Sequence, residues 1–145
     1  PFVSPRTLKS LHETHHAQEN TITMMTAQVE SFEGWRKAFS HWGRIIRDQN
    51  EKIVGIREYK DASEQERLIT EVNPALFCFD GLWLWKNIHE LTNNNVQEEY
   101  YLTDLIEMAF DQKQKIATIP IAPEEAIGIN TKEDLDVAEE VLKLR

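Results

Sequence analysis

The chain has 145 residues, of which 41% are hydrophobic, enough for one domain with a hydrophobic core and too few for two. Its formal net charge of -9 at pH 7 would repel a phosphate backbone, which argues against a nucleic-acid partner. No segment approaches the roughly 20 apolar residues that span a bilayer, and the single cysteine, Cys78, excludes an internal disulfide. We therefore expect a soluble, cytoplasmic protein with no membrane partner.

A helix and a strand are predicted near the N-terminus. Ser4 followed by Pro5 is typical of a helix start, with serine as the N-cap, and leucines at helical spacing carry the helix to about Gln18. Residues 21–29 are β-branched and partly apolar, which predicts a buried strand. Residues 30–41 carry aromatic side chains three and four positions apart, a pattern that fits a short amphipathic helix or an ordered loop.

A β-hairpin is predicted in the middle of the chain. Residues 43–47 and 52–58 are strand-like and are joined by a polar turn. Residues 61–66 suit one helical turn, and the apolar run over 72–79 predicts a further strand.

The second half continues the alternation of helices and strands. Asp80 and Gly81 open a helix whose apolar positions are Leu82, Trp85 and Ile88. Strands that alternate with helices indicate the α/β class, and the hairpin makes the sheet mixed. The remaining predicted elements are a helix over about 103–112, a strand over 115–121, a crossing at 128–130 and a terminal helix with a capping box over 131–134.

Polar segments at strand ends and loop entries carry the candidate chemistry. The five glycines do not cluster into a phosphate-binding loop, so we expect no complete nucleotide site. The polar segments are His41-Trp42-Gly43-Arg44, Glu58-Tyr59-Lys60-Asp61, Glu71-Val72-Asn73, the run from Asn93 to Asp104, and Gly128-Ile129-Asn130. In this order and at this spacing they resemble the bacterial N-acetylglucosamine-1-phosphate uridyltransferases, also called UDP-N-acetylglucosamine pyrophosphorylases. The run that ends in Tyr-Tyr-Leu-Thr-Asp is the most specific part.

The resemblance implies a fold, an activity and a truncation. It implies that residues 1–145 form the C-terminal, sugar-phosphate-binding part of a Rossmann-like nucleotide-diphospho-sugar transferase domain, without the N-terminal nucleotide-binding part. The family joins UTP and N-acetylglucosamine-1-phosphate into UDP-N-acetylglucosamine, a cell-wall precursor, and releases pyrophosphate with Mg²⁺ as cofactor. We expect this chain to be inactive alone. An uncovered sheet edge and apolar face would favour a homo-oligomer.

The resemblance also implies roles for individual residues. Asn130 would ligate Mg²⁺ through its side-chain oxygen, a donor that suits a hard cation. The other candidates contact the sugar phosphate: Glu58 and Asn73 through hydroxyl hydrogen bonds, Gly43 through its backbone, and Tyr101 and Thr103 as pocket lining. Without the resemblance, Glu58 reads as a solvated hairpin residue, Asn73 as a turn cap and Gly43 as a tight bend.

Departures from the family pattern leave the identity of the bound sugar open. Asn73 is followed by Pro74 and Ala75 where the family carries Thr-Gly, and His41-Trp42 replace Gly-Tyr. These side chains narrow the site, and Pro74 removes a backbone donor. The alternatives are therefore a nucleotidyltransferase for another sugar phosphate, or a non-catalytic sugar-nucleotide-binding or assembly module of the same family.

A zinc-protease pattern competes with this interpretation. His12, Glu13 and His16 satisfy H-E-x-x-H, which places two histidines one helical turn apart. The pattern has a high false-positive rate, and we favour a polar outer helical face.

Cys78 is interpreted as a small buried hydrophobe. The tryptophans at 42, 83 and 85 are interpreted as core or interface residues.

Overall fold

The computed structural model describes residues 2–129 and 131–143, in which six strands form one mixed sheet. Helices and strands alternate along the chain, as predicted for the α/β class. The elements in order are α1 (Pro5–Ala17), β1 (Ile22–Gln28), a 3₁₀ helix (Gly34–Phe39), β2 (Arg44–Arg47), β3 (Ile53–Arg57), α2 (Glu64–Arg67), β4 (Glu71–Val72), β5 (Phe77–Phe79), α3 (Gly81–Asn87), a second 3₁₀ helix (Ile88–Glu90), α4 (Asp104–Asp111), β6 (Ile116–Ile121), α5 (Pro123–Ala126) and α6 (Lys132–Lys143).

Strand β1 is the centre of the sheet. It pairs in parallel with β6 along one edge, and antiparallel with β4 and β5 along the other. Strand β4 also pairs with β2, and β2 forms the predicted hairpin with β3. The order β6, β1, β4, β2, β3 therefore carries the sheet from the terminal parallel strand to the hairpin.

Two hydrophobic clusters cover the two faces of the sheet. Ile22 and Met24 of β1 belong to one cluster, together with hairpin residues and Ile106 of α4. Ala27 and Val29 belong to the other, which includes Phe39 of the first 3₁₀ helix and residues of α6. Successive side chains of a strand point to opposite faces, so β1 is buried from both sides.

Local sequence signals define several of the helix ends as predicted. The Ser4 hydroxyl accepts a hydrogen bond from the Thr7 amide at 3.1 Å and caps α1. The reciprocal capping box at α6 is also present, with the Asp134 amide donating to the Thr131 hydroxyl and the Thr131 amide donating to the Asp134 carboxylate. The open choice for residues 30–41 resolves as the 3₁₀ helix Gly34–Phe39.

The single strand predicted over residues 72–79 is wrong. The structure has two short strands there, β4 and β5, separated by an Asx turn. Asn73 Oδ1 accepts from the Ala75 amide at 2.9 Å, Pro74 has no amide hydrogen to give to the ladder, and Ala75 adopts a positive φ of 58°. Side-chain competition for the backbone therefore interrupts the strand at the candidate site.

The apolar positions of α3 are more exposed than predicted. Leu82 is 86% exposed and Trp85 67% exposed, so of the two interpretations of Trp85, core or interface, the structure excludes the core and leaves the interface as a prediction. Trp83 instead packs against the cluster that contains Ile22 and Met24, and its indole N–H donates to Gln112 at 2.8 Å. Cys78 is half-buried rather than fully buried. None of the helices within the described ranges combines the length and apolar character of a membrane span.

Candidate functional site

Four of the predicted site residues line one pocket, which we call the Asn73 pocket. Gly43, Glu58, Asn73 and Thr103 surround a cavity of about 420 Å³. The remaining lining residues are His41, Trp42, Pro74, Ala75, Ala126 and Gly128.

The register of three strands brings these residues together. Arg44 of β2 lies opposite Arg57 of β3 and opposite Val72 of β4. The adjacent residues at the strand ends are Gly43, Glu58 and Asn73, and the Asn73 amide donates to the Gly43 carbonyl at 2.9 Å. Gly43, Glu58 and Asn73 therefore lie side by side at the ends of their strands, although 15 positions separate each from the next in the chain.

The Glu58 carboxylate has a defined position between two neighbours. Oε1 accepts a hydrogen bond from the Thr103 hydroxyl at 2.9 Å. Thr103 occupies the N-cap position of α4, yet its side chain makes no capping bond, so the hydroxyl is free to serve the site. A Cβ atom at Gly43 would lie 3.2 Å from Oε1 and 3.4 Å from Oε2, so the carboxylate approaches the chain where there is no side chain.

Asn73 is buried, with 8% of its surface exposed. Its side-chain oxygen is occupied by the Ala75 amide, which leaves Nδ2 without an acceptor in residues 2–129 and 131–143. The carboxamide therefore offers a donor, while Glu58 offers an acceptor in the same pocket. A donor and an acceptor in a pocket also lined by Trp42 and the apolar Pro74 suit a polyhydroxylated ligand such as a sugar.

Tyr101 lies outside the Asn73 pocket. It lines a neighbouring cavity of about 550 Å³ that shares Glu58 with the Asn73 pocket. The Tyr101 hydroxyl donates to Asp61 at 3.2 Å and accepts from Gln97 at 2.7 Å, and burial raises the pKa of this phenol, with the Asp61 hydrogen bond acting in the same direction. Burial, with the nearby Glu107 charge, also raises the pKa of Asp104 in this cavity.

The predicted metal ligand Asn130 lies outside the described residues. Gly128, two positions earlier, lines the Asn73 pocket. In the part of the chain that the structure describes, no group of three or more His, Cys, Asp or Glu side chains has a metal-binding arrangement.

The H-E-x-x-H segment lies on α1, away from the Asn73 pocket. The rings of His12 and His16 meet edge to face with centroids 4.4 Å apart. The intervening His15 is buried, and its Nδ1 lies 3.1 Å from the Thr23 hydroxyl. The interpretation of this face as wholly polar and exterior is therefore wrong at His15.

Sequence reasoning missed two contributors to the site region. Ala126 of α5 lines the Asn73 pocket, and Gln97 supports Tyr101. Nothing in the sequence marks Ala126 as a pocket residue, because only the tertiary packing of α5 brings it to the pocket. Gln97 lies within the matched run of residues 93–104, so the motif itself could have indicated a role for Gln97 near Tyr101.

The fold resembles that of a solved protein of about twice the length. The nucleoside-diphosphate-sugar pyrophosphorylase from Vibrio cholerae RC9 matches with a TM-score of 0.58 and 14% identity, over 86% of this chain and 48% of that one. This similarity shows a shared α/β architecture with a mixed sheet.

The sequence comparison finds relatives at higher identity. The whole chain is 39% identical over 145 residues to the bifunctional protein GlmU of Clostridium novyi (strain NT) and 40% identical over 145 residues to that of Clostridium botulinum (strain Eklund 17B / Type B). The GlmU protein of Brevibacillus brevis is 37% identical over 146 residues. No protein-family model matches the chain. The chain is thus a relative of the GlmU proteins and spans 30% of their length, which confirms the resemblance predicted from its motifs.

Proposed function

We propose that this chain supplies the acceptor-sugar side of a sugar-1-phosphate uridyltransferase. The parent activity would make UDP-N-acetylglucosamine from UTP and N-acetylglucosamine-1-phosphate in the cytoplasm and release pyrophosphate. The observation that carries the proposal is the convergence of Gly43, Glu58, Asn73 and Thr103 on one pocket. The similarity of the whole chain to GlmU proteins supports it.

Each pocket residue has a chemical task in this proposal. The Glu58 carboxylate accepts hydrogen bonds from sugar hydroxyls, while Thr103 holds that carboxylate in place. The Asn73 Nδ2 donates to a sugar oxygen, and the bare backbone of Gly43 lets the ring approach closely. Uridylyl transfer needs the acceptor phosphate aligned with the α-phosphorus of UTP, so fixing the sugar raises the rate through orientation.

Mg²⁺ and the nucleotide belong to parts of the protein beyond this pocket. We propose that Asn130 contributes a side-chain oxygen to Mg²⁺, which would neutralise phosphate charge when bound. The nucleotide-binding part would lie in the portion of the parent that this chain does not span. In the described residues β5 pairs only with β1, so its outer edge is open to a further strand.

Self-association is an additional part of the proposal. The open edge of β5 and the exposed Leu82 and Trp85 are the kinds of surface that a second copy covers. Light scattering at high protein concentration is expected to show a dimer or larger assembly, and a monomer would contradict this part alone.

The alternatives follow from the residues after Asn73. Pro74 and Ala75 form the pocket wall, with Ala75 at a positive φ of 58° that L-residues adopt at a cost. A side chain at this wall narrows the pocket, which would favour a different sugar phosphate or a non-catalytic binding module.

Titration calorimetry with sugar-1-phosphates tests the proposal. We expect saturable binding of N-acetylglucosamine-1-phosphate that Asn73→Ala weakens roughly tenfold or more, because a donor in a buried site is lost. Asn50→Ala, in the exposed hairpin turn, is the matched control and should leave affinity unchanged. Preference for another sugar-1-phosphate would support the first alternative. No binding by folded protein would contradict the acceptor-side function.

A further inference from the structure

Arg44 is a buried arginine beside the Asn73 pocket. Only 1% of the Arg44 surface is exposed. Among the fully buried side chains in the described structure, that of Arg44 is the largest. Within residues 2–129 and 131–143 it forms no salt bridge with a carboxylate. Burial lowers the pKa of its guanidinium. A buried cation with no anionic partner is costly, and the interactions that hold it must be specific.

The guanidinium is held by backbone carbonyls of the segment before Gly43. It donates to the Ser40 carbonyl at 2.8 Å and to the Trp42 carbonyl, and more weakly at 3.4 Å to the carbonyl of Arg67. These acceptors flank His41 and Gly43, which line the pocket. The planar fork of arginine reaches several acceptors at once, and a lysine ammonium lacks that geometry.

Two aromatic rings complete the environment of this cation. The guanidinium carbon lies 4.4 Å from the ring centroid of Phe32 and 5.4 Å from that of Tyr59. Tyr59 follows Glu58 directly, and its ring also contacts His41 with centroids 4.7 Å apart. Arg44 therefore connects the segment before Gly43 with the strand end that carries Glu58.

We propose that Arg44 is a positioning residue that fixes the Ser40–Trp42 backbone, so that the Gly43 carbonyl stays bonded to the Asn73 amide and the pocket keeps its sugar-binding shape. The inference deepens the proposed function, because it explains how two pocket residues from different strands hold their relative position. The Asn73 amide bond to Gly43, at 2.9 Å, is the contact through which Arg44 acts.

The test uses Arg44→Lys, which keeps the charge and removes the fork. Hydrogen exchange of the Asn73 amide should accelerate roughly tenfold or more in the folded variant, because its acceptor loses support, while hairpin amides change less. Affinity for N-acetylglucosamine-1-phosphate should weaken about tenfold. The control is Arg47→Lys, on the same strand, whose guanidinium pairs with Glu71 at 2.6 Å instead.

Two results would overturn the positioning role. One is a folded Arg44→Lys protein with unchanged Asn73 exchange and unchanged affinity. The other is equal acceleration of the Asn73 and hairpin amides, which indicates a merely structural residue. If Arg44→Lys does not fold, Phe32→Leu, which removes one ring face from the cation, decides the matter by the same readouts. If the unmodified protein binds no sugar phosphate, the proposed function fails, while Asn73 exchange still tests the role of Arg44.

Discussion

The hydroxyl of Thr103 donates a hydrogen bond to Oε1 of Glu58 at 2.9 Å, joining the start of α4 to the end of β3. Gly43 lies close to the same carboxylate, since a Cβ atom at position 43 would be 3.2 Å from Oε1. The Thr103 hydroxyl thus orients the Glu58 carboxylate, and the missing side chain of Gly43 gives that carboxylate room to lie close to the backbone. The first two predictions test these two constraints.

Removal of the hydroxyl should loosen the carboxylate without unfolding α4. Thr103→Val keeps the shape and deletes the donor, and we expect the free energy of unfolding to fall by about 1.5–3 kcal/mol, as for a lost hydrogen bond to a charged group. Sugar-phosphate affinity should fall roughly tenfold. Thr103→Ser, which retains the hydroxyl, is the control. Urea unfolding and calorimetry provide the measurements, and a Val variant indistinguishable from Ser would contradict the prediction.

A methyl group at position 43 should push the carboxylate away. A Cβ there would lie 2.9 Å from Ile56 Cγ2 and 3.2 Å from Glu58 Oε1. We expect Gly43→Ala to lower the free energy of unfolding by about 1–3 kcal/mol and to reduce sugar-phosphate binding, because the core side chain has little room to move.

Gly81→Ala is the matched control for this substitution, since a Cβ at Gly81 meets no atom within 4 Å. It should be neutral or slightly stabilising, as alanine favours a helix start more than glycine does. Equal effects of the two substitutions on urea unfolding would argue against a steric cause at Gly43.

Ala75→Gly should stabilise the turn after Asn73. Ala75 has a φ of 58°, a conformation that costs an L-residue about 1 kcal/mol and glycine almost nothing. Because glycine has greater freedom in the unfolded chain, part of this gain is lost, and we expect the free energy of unfolding to rise by about 0.5 kcal/mol. Ala17→Gly, at the exposed end of α1, should instead lose stability. Thermal unfolding compares the two, and a loss in both variants would sink the prediction.

His15 should make stability depend on pH. Burial, followed by the charge of His16, lowers the pKa of His15 from its ordinary value of 6.5. The unfolded chain then takes up a proton before the folded one as the pH falls. The stability contributed by neutral His15 is therefore fully present above about pH 6.5 and is lost as the pH falls toward the folded pKa.

His15→Gln should flatten that dependence. Urea unfolding between about pH 7.5 and 5.5 should show a steeper decline for the unmodified protein than for the variant. His89→Gln, which removes an exposed histidine, is the control and should retain the decline. Parallel curves for the unmodified protein and His15→Gln would contradict the prediction.

Local chemistry was enough to predict the elements whose ends are set by side chains near in sequence. The Ser4 cap of α1 and the capping box at Thr131 each use contacts three residues apart, which the sequence displays directly. The strand break after Val72 was missed because the Asn73 side chain competes with the ladder, and an apolar pattern does not reveal that competition.

The candidate site was predicted from ordered motifs rather than from local pattern. Strand register then explains why Gly43, Glu58 and Asn73 are neighbours. Tyr101 lies in the adjoining cavity because its hydroxyl bonds to Asp61, a tertiary contact 40 residues away in the chain. The sequence could not decide between core and interface for Trp85, because helical spacing identifies an apolar face but not what covers it.

A sugar phosphate is expected to bind in the Asn73 pocket. Amide chemical-shift mapping during titration with N-acetylglucosamine-1-phosphate tests it most directly. We expect saturable shifts at Gly43, Asn73 and Thr103, with small changes along α1. Shifts confined to α1 near His15, or none at saturating ligand, would contradict it.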